Sequence, residues 1–299
     1  MKTKLFFLKT ITPLHCGIGQ GLSDIDLPTA RDAVSGHPYV PGSSIKGVLR
    51  DALSGGADKN LLTAAFGAEG SDCVDSASSA AITDARLICL PVRSFFGTFA
   101  WVASPYTLNM FRGLAERAGL TGIPALPVFN PGAREHYHCT APEASRVVQD
   151  KAALLEDLDL TTEANMAAAA GEWADFISGA VFGAEDPQGC AFFRERFLIV
   201  DDNVLNFLCE TALPVQAHIR IDGETGTVAR GALWYMETVP SECIMAGLVM
   251  ADAGRGKHRN FTPDDIMKFV AGDTRHLQIG GNASTGCGMA TLRFSGAAN

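Results

Sequence analysis

Ser43-Ser44-Ile45-Lys46-Gly47-Val48-Leu49-Arg50-Asp51-Ala52-Leu53 reads as one amphipathic helix, and the rest of the fold is read outward from it. Ile45, Val48, Leu49 and Ala52 recur at i, i+3, i+4 and i+7 and make its apolar stripe. Ser43 and Ser44 supply oxygens that cap its start, and Lys46 and Arg50, four apart, share the opposite face. Before it, Lys4 to Leu14 is rich in Phe, Ile, Thr and Leu and reads as a strand, ending in a loop with Gly17, Gly19 and Gly21. An acidic extended stretch follows, Ser23-Asp24-Ile25-Asp26-Leu27-Pro28, in which Pro28 biases Leu27 away from helix.

After the helix, residues 68–81 read as a surface loop, and Ile82–Val92 and Phe95–Trp101 as strands. Ser104-Pro105 opens a helix that Gly119 closes. Residues 121–142 are loop-like, about 145–182 is an alanine-rich helical region, and Asp202 begins another helix. Ala217-His218-Ile219-Arg220-Ile221-Asp222 alternates with period two and meets Gly223-Glu224-Thr225-Gly226, after which strand-like sequence runs from Thr227 to Val239. That is a β-hairpin pattern. Thr262-Pro263 starts a last helix, His276–Ile279 a strand, and Met289–Phe294 the final strand. Strands at both ends with helices between predict a single α+β unit, residues 1–299, closed by its own ends.

The chain has 299 residues, 47% of them apolar and 19% charged, with 33 acidic against 24 basic residues and a net charge of −9. That balance excludes intrinsic disorder and a protein that coats nucleic acid through bulk positive charge. Any polyanion must be held by a local basic patch or jointly with other chains. Mean hydropathy of +0.12 hints that part of the surface is covered by partners. Eight cysteines include no CxxC pair, and Lys9 interrupts the apolar Leu5–Leu8 run before it could serve as a signal-peptide core. No apolar run approaches the roughly 18 residues of a membrane helix. We therefore expect a cytoplasmic protein with reduced thiols and no membrane partner.

Several constellations bear chemistry, each with a bland alternative. Gly280-Gly281-Asn282-Ala283-Ser284-Thr285-Gly286-Cys287-Gly288 is rich enough in glycine for successive amides to cradle a phosphate, or is simply a turn. Lys46 and Arg50 near the Ser43-Ser44 helix start form a second phosphate site, or a solvated face. Arg255-Gly256-Lys257-His258-Arg259 reads equally as solvent loop or RNA contact. Asp24 and Asp26, with His15 at a strand end, could hold a divalent cation or act as general base, or be ordinary loop carboxylates. His136, His138 and Cys139 crowd together without zinc-site spacing.

The order of these segments is more specific than any one of them. Leu14-His15-Cys16-Gly17, Asp26-Leu27-Pro28, Arg31-Asp32 and Pro41-Gly42-Ser43-Ser44-Ile45-Lys46-Gly47-Val48-Leu49-Arg50, with the glycine loop near the C-terminus, resemble the RAMP proteins of CRISPR systems. Asp84-Ala85-Arg86, Pro91–Gly97, Trp101, Ser104-Pro105-Tyr106, Arg220–Thr225 and Ala232–Tyr235 extend the resemblance to the repeated backbone subunits of the type III-B (Cmr) effector. The resemblance implies a ferredoxin-like (RRM-like) core with a mainly helical insertion at about 102–185 and a β-hairpin thumb at about 217–239. It implies CRISPR RNA, single-stranded target RNA, other copies of the chain and other Cmr complex subunits as partners. Ser43, Ser44, Lys46, Arg50, Gly280, Gly281, Asn282, Gly286 and Gly288 would contact RNA. Asp26 would cut the target with a divalent metal, Mg2+ or Mn2+, and His15 could assist.

The chain departs from the family pattern at four places: Asp24 adds an acid, Asp32 stands for Glu, Cys287 for a basic residue, and Met236 for Glu, leaving Glu237 the nearest acid. The last change puts in doubt a second catalytic acid, not Asp26. Two other readings stay open at this point: a purely architectural RNA-binding subunit, and an independent small-molecule enzyme with a phosphate loop.

Overall fold

Leu5, Phe6, Phe7 and Leu8 are all fully buried, so strand β1 (Lys2–Thr10) crosses the middle of the molecule with both faces covered. The computed structural model describes residues 1–17, 19, 25–56, 58–68, 77–129 and 137–295. After β1 come β2 (Tyr39–Val40), α1 (Gly42–Ser54), α2 (Lys59–Phe66), β3 (Ala80–Ile82), β4 (Ala85–Arg93), β5 (Phe99–Ala103) and α3 (Pro105–Arg117). The middle of the chain forms β6 (Tyr137–Thr140), β7 (Ala152–Leu155), β8 (Leu158–Thr162), α4 (Ala167–Val181), α5 (Pro187–Arg194), β9 (Phe197–Val200) and α6 (Asp202–Thr211). The last elements are β10 (Val215–Ile221), β11 (Val228–Glu237), β12 (Ile244–Ala251), α7 (Pro263–Ala271), β13 (Arg275–Gln278) and β14 (Met289–Ser295).

Twelve strands form one mixed sheet in the order β13-β14-β1-β12-β4-β5-β9-β6-β8-β7, with β2 on β4 and β3 on β12. Within it β14, β1, β12 and β4 are mutually antiparallel neighbours. Their side chains alternate between two cores. Phe6, Leu8, Met245, Val249 and Leu292 face a core with Leu49 of α1, Ala65 of α2 and Val270 of α7. Leu5, Phe7, Ile244, Ala246 and Leu248 face a second with Phe111 of α3 and Trp173 of α4. Truncating one of these phenylalanines to Ala would cost about 3–5 kcal/mol. Among the named strands, β10 and β11 pair only with each other, β11 taking a further bridge from Leu27 at its end, and Ile219, Ile221, Val228 and Leu233 on this hairpin are about half exposed.

The α+β class and a hairpin over the predicted segment are both present. Four local readings are corrected. The serines do not cap α1: Pro41 is its N-cap and makes no side-chain cap, while the Gly42 N–H donates to Asp84 Oδ1 at 2.8 Å. The stretch 95–98 is a turn rather than strand, with Gly97 and Thr98 at φ +70° and +77°. The 121–142 segment contains β6, and the region read as helix from 145 contains β7 and β8 before α4 begins. The insertion about 102–185 thus mixes strands with helices. Ala153, Leu155 and Leu160 are buried at alternate positions across a two-residue turn, and this period-two pattern overrides helix-favouring composition. No helix among the described residues is long and apolar enough to cross a membrane.

Candidate functional site

The end of β11 gathers most of the predicted residues along one edge. Leu14 pairs with Val239 through reciprocal backbone bonds of 2.9 and 2.8 Å, which delivers His15 beside Glu237. His15 is 8% exposed, and its Nδ1 lies 2.8 Å from the Glu237 main-chain oxygen. The acidic stretch docks just upstream on the same edge: Leu27 N donates to Tyr235 O, and Glu237 N to Leu27 O, both at 3.0 Å. Asp26, exposed, accepts the Tyr235 N–H on Oδ2 at 2.8 Å. Asp26 and His15 therefore reach residues two apart on one strand, at the root of the β10–β11 hairpin.

The glycine loop closes over His15. Gly281 N donates to His15 O at 2.9 Å, and Gly288 N to Pro13 O at 2.8 Å. Gly280 sits at φ +85°, and a Cβ there would stand 2.2 Å from His15 O, so glycine is required by both conformation and contact. Asn282 is left-handed at φ +60°, with its side-chain amide against Met236 Sδ. Residues 280–286 are exposed, and the N–H groups of Asn282, Ala283 and Ser284 meet no acceptor among the described residues. These three amides are what an incoming anion would find. Cys287, where a basic residue was expected, is buried instead.

The helix start reaches the same place through Ser44, which bonds the Cys16 thiol; burial nonetheless pushes that thiol up to about 11. Gly280 lies against Cys16 from the other side. Ser43 is exposed. Lys46 makes its contacts within the chain. Its Nζ donates to Ser78 Oγ at 2.7 Å and Ala80 O at 3.1 Å, so the stem lies over α1 toward residues 78–80. Burial, and then the neighbouring Arg50, hold its ammonium below the ordinary lysine value. Arg50 lines an open cleft with Lys59 and Lys257, the latter from the predicted basic tip.

The remaining acids are structural. Glu237 is 4% exposed; its Oε2 accepts the Thr29 N–H at 3.1 Å and its Oε1 pairs with Arg31 at 2.5 Å. Asp32 Oδ1 accepts from Val34 N, Ser35 N and Ser35 Oγ, and these bonds, the Ser35 amide first, lower its pKa. Asp24 and His136 lie outside the described residues. Of the His136, His138 and Cys139 group, the two described members do not share a site: Cys139 is fully buried, its thiol pushed up to about 12, while His138 Nδ1 faces Glu163 at 3.2 Å. Among the described residues no group of three His, Cys, Asp or Glu side chains could hold a metal. Gly17 and Tyr235 lay inside recognised motifs without an assigned role, and the hub role of Glu237 was missed; its place beside Met236 was the one signal.

A chain in which a glycine loop, a helix start and an Asp-Leu-Pro segment converge on a hairpin root is matched from residue 7 to 290 by the RAMP superfamily, and it belongs to that superfamily. Over its full length it is 31% identical to the CRISPR system Cmr endoribonuclease Cmr4 of Pyrococcus furiosus, covering 98% of that protein. The crystal structure of oligomeric Cmr4 from Pyrococcus furiosus superposes with a TM-score of 0.75 at 26% identity, with 100% of both chains covered. A chain of the cryo-EM structure of the type III-B Cmr-beta complex bound to cognate target RNA shares the fold, with a TM-score of 0.73 at 21% identity, covering 98% of this chain and 97% of that one.

Proposed function

We propose that this chain is a backbone subunit of a type III-B CRISPR ribonucleoprotein in the cytoplasm. It binds CRISPR RNA, stacks with other copies of itself and other Cmr complex subunits, and cleaves complementary target RNA at regular intervals. The observation that carries the reading is Asp26: an exposed carboxylate fixed by the Tyr235 amide beside His15 and the glycine loop, in a chain 31% identical end to end to an endoribonuclease. The finer fold reading is a ferredoxin-like core, β1-α1-β4-β12-α7-β14, supported by the strand order β14-β1-β12-β4. The thumb reading of the β10–β11 hairpin rests on its exposed apolar residues and its separation from the main sheet.

In this reading the free amides of 282–284 bind guide phosphate, and the hairpin splays one target nucleotide. Splaying lets the 2′-oxygen align in line with its own phosphorus; the O2′–P bond forms as the P–O5′ bond breaks, and such orientation contributes several kcal/mol. Asp26, or His15 through Nε2, takes the 2′-hydroxyl proton, and water protonates the departing 5′-oxygen. Asp26 offers a single carboxylate, which fits a hard cation that keeps most of its waters and shares the substrate phosphate. Mg2+ or Mn2+ held there would offset charge on the phosphate oxygens. A reconstituted complex should cut only guide-complementary RNA into evenly stepped products; cutting that persists with a scrambled guide would sink the reading.

A further inference from the structure

Four contacts of the candidate site converge on one buried residue. The Glu237 carboxylate accepts from Thr29 N and Arg31, its N–H donates to Leu27 O, and its C=O faces His15 Nδ1. Arg31 is the partner that makes this arrangement affordable in a buried position, and it does more than neutralise. Its Nη2 meets Glu237 Oε1 at 2.5 Å while Nη1 donates to Gly36 O at 2.9 Å and Cys209 O at 3.0 Å, the last in α6. One planar fork thus ties the hairpin root, the 27–36 segment and α6 together. A lysine, a point charge on a flexible stem, cannot serve three acceptors in two directions at once.

We propose that Arg31 is a positioning residue for RNA cleavage, acting through Glu237 to hold the Asp26 segment and His15 against β11; the proposal rests on the catalytic reading of Asp26. Without Arg31, the Glu237 carboxylate is buried with the Thr29 amide alone, a costly state that it leaves by moving or by taking a proton. Either response loosens Leu27 and Thr29 on the strand edge, and with them the Asp26–Tyr235 bond. The acidic group stays present but loses its place, and misplacement on the scale of 1 Å costs on the order of 10²-fold in rate.

The test compares Arg31→Ala, Arg31→Lys, Asp26→Asn and the surface control Arg112→Ala in assembled complexes, at saturating target RNA. Arg31→Ala should cut at least tenfold more slowly while target affinity holds, and millimolar guanidinium ion should restore part of the rate. Amide exchange at Thr29 and Tyr235 should accelerate in Arg31→Ala while the β1 amides stay protected. Arg112→Ala should match wild type. If Arg31→Ala does not assemble, Arg31→Lys carries the test and should assemble yet cut slowly. Wild-type cutting by the Arg31 variant that assembles, or unchanged exchange at Thr29 and Tyr235, overturns the positioning role. Wild-type cutting by Asp26→Asn overturns the underlying catalytic reading instead.

Discussion

His15 Nδ1 lies 2.8 Å from the main-chain oxygen of Glu237, and a carbonyl oxygen only accepts. In the neutral ring the proton therefore sits on Nδ1, leaving Nε2 as the lone-pair nitrogen. That nitrogen faces Gly17, where a Cβ would stand 2.7 Å from it. In the proposed reaction, this nitrogen against a glycine is the one that would accept a proton from something that passes over residue 17.

Gly17→Ala should therefore push the His15 ring without harming the core, since residue 17 is exposed. Assembly and target binding should hold while single-turnover cleavage falls, by on the order of 10²-fold if the ring must move by about 1 Å. An unchanged rate would remove His15 from the reaction.

Gly280→Ala and Gly286→Ala separate close contact from backbone strain. Both glycines are left-handed, at φ +85° and +84°, and left-handed strain alone costs roughly 1–2 kcal/mol. Only at Gly280 would the new Cβ meet backbone, His15 O at 2.2 Å; nothing lies within 4 Å of a Cβ at Gly286. Thermal melts should rank Gly280→Ala as clearly the more damaging. Equal shifts would mean that the loop is not seated on His15.

Lys46 and Arg50 should part company, although they share a helix face in the sequence. With Lys46 Nζ held by Ser78 and Ala80, Lys46→Ala should cost about 3 kcal/mol of stability, two bonds from a charged donor each taken at the low end of roughly 1.5–3 kcal/mol. It should leave the salt dependence of RNA binding alone. Arg50→Ala should reduce that log–log slope by about one unit if the Arg50 cleft takes a phosphate. The reverse ranking would restore Lys46 as the phosphate contact.

Alkaline pH should weaken the fold through its thiols. Burial raises Cys16 from 9.0 to about 11, and Cys139 and Cys209 to about 12. A raised thiol pKa means that the unfolded chain loses its proton first. The stability is complete below pH 9 and declines from there toward 12, each such thiol adding at most about 1.4 kcal/mol per pH unit. Melting temperature followed from pH 8 to 11 under reducing conditions checks this. Cys139→Ala should flatten the decline, and an unflattened curve would place the cause elsewhere.

What the sequence revealed and what it hid follow from burial. The α3 and α7 starts were legible because Ser104 and Thr262 are true side-chain caps that accept from Thr107 N and Asp265 N. The hairpin was legible because its alternating segment runs into the Gly223–Gly226 turn, although both of its faces are largely exposed. The central strand β12, Ile244–Ala251, escaped because it is buried on both faces and its apolar run shows no alternation. The same holds for β9, whose four residues are all buried. At the site, His15, Asp26 and the glycine loop carry recognisable motifs. Glu237 carries none, because its role depends on the His15 ring and on backbone groups of residues 27 and 29, more than 200 positions away. The intrachain contacts of Lys46 were hidden for a related reason: its partners Ser78 and Ala80 belong to a stretch with no pattern of its own.

Asp26 admits the sharpest test, because its environment separates placement from charge. One oxygen accepts the Tyr235 N–H at 2.8 Å, and the side chain is otherwise exposed. Asp26→Asn retains an oxygen for that amide, so the strand edge should stay closed and the complex should assemble and bind complementary RNA normally. What it removes is the negative charge required to hold a cation or to accept a proton. Cleavage should fall by at least the roughly 10²-fold typical of losing a general acid–base group. Asp26→Ala should be no better, and EDTA should add nothing to the defect of either variant while it slows the wild type. Asp24→Ala should do much less. Single-turnover rates at matched occupancy decide the matter: wild-type cutting by Asp26→Ala, with Asp24→Ala or His15→Ala inactive, would move the catalytic group, and wild-type cutting by all three would leave an architectural subunit.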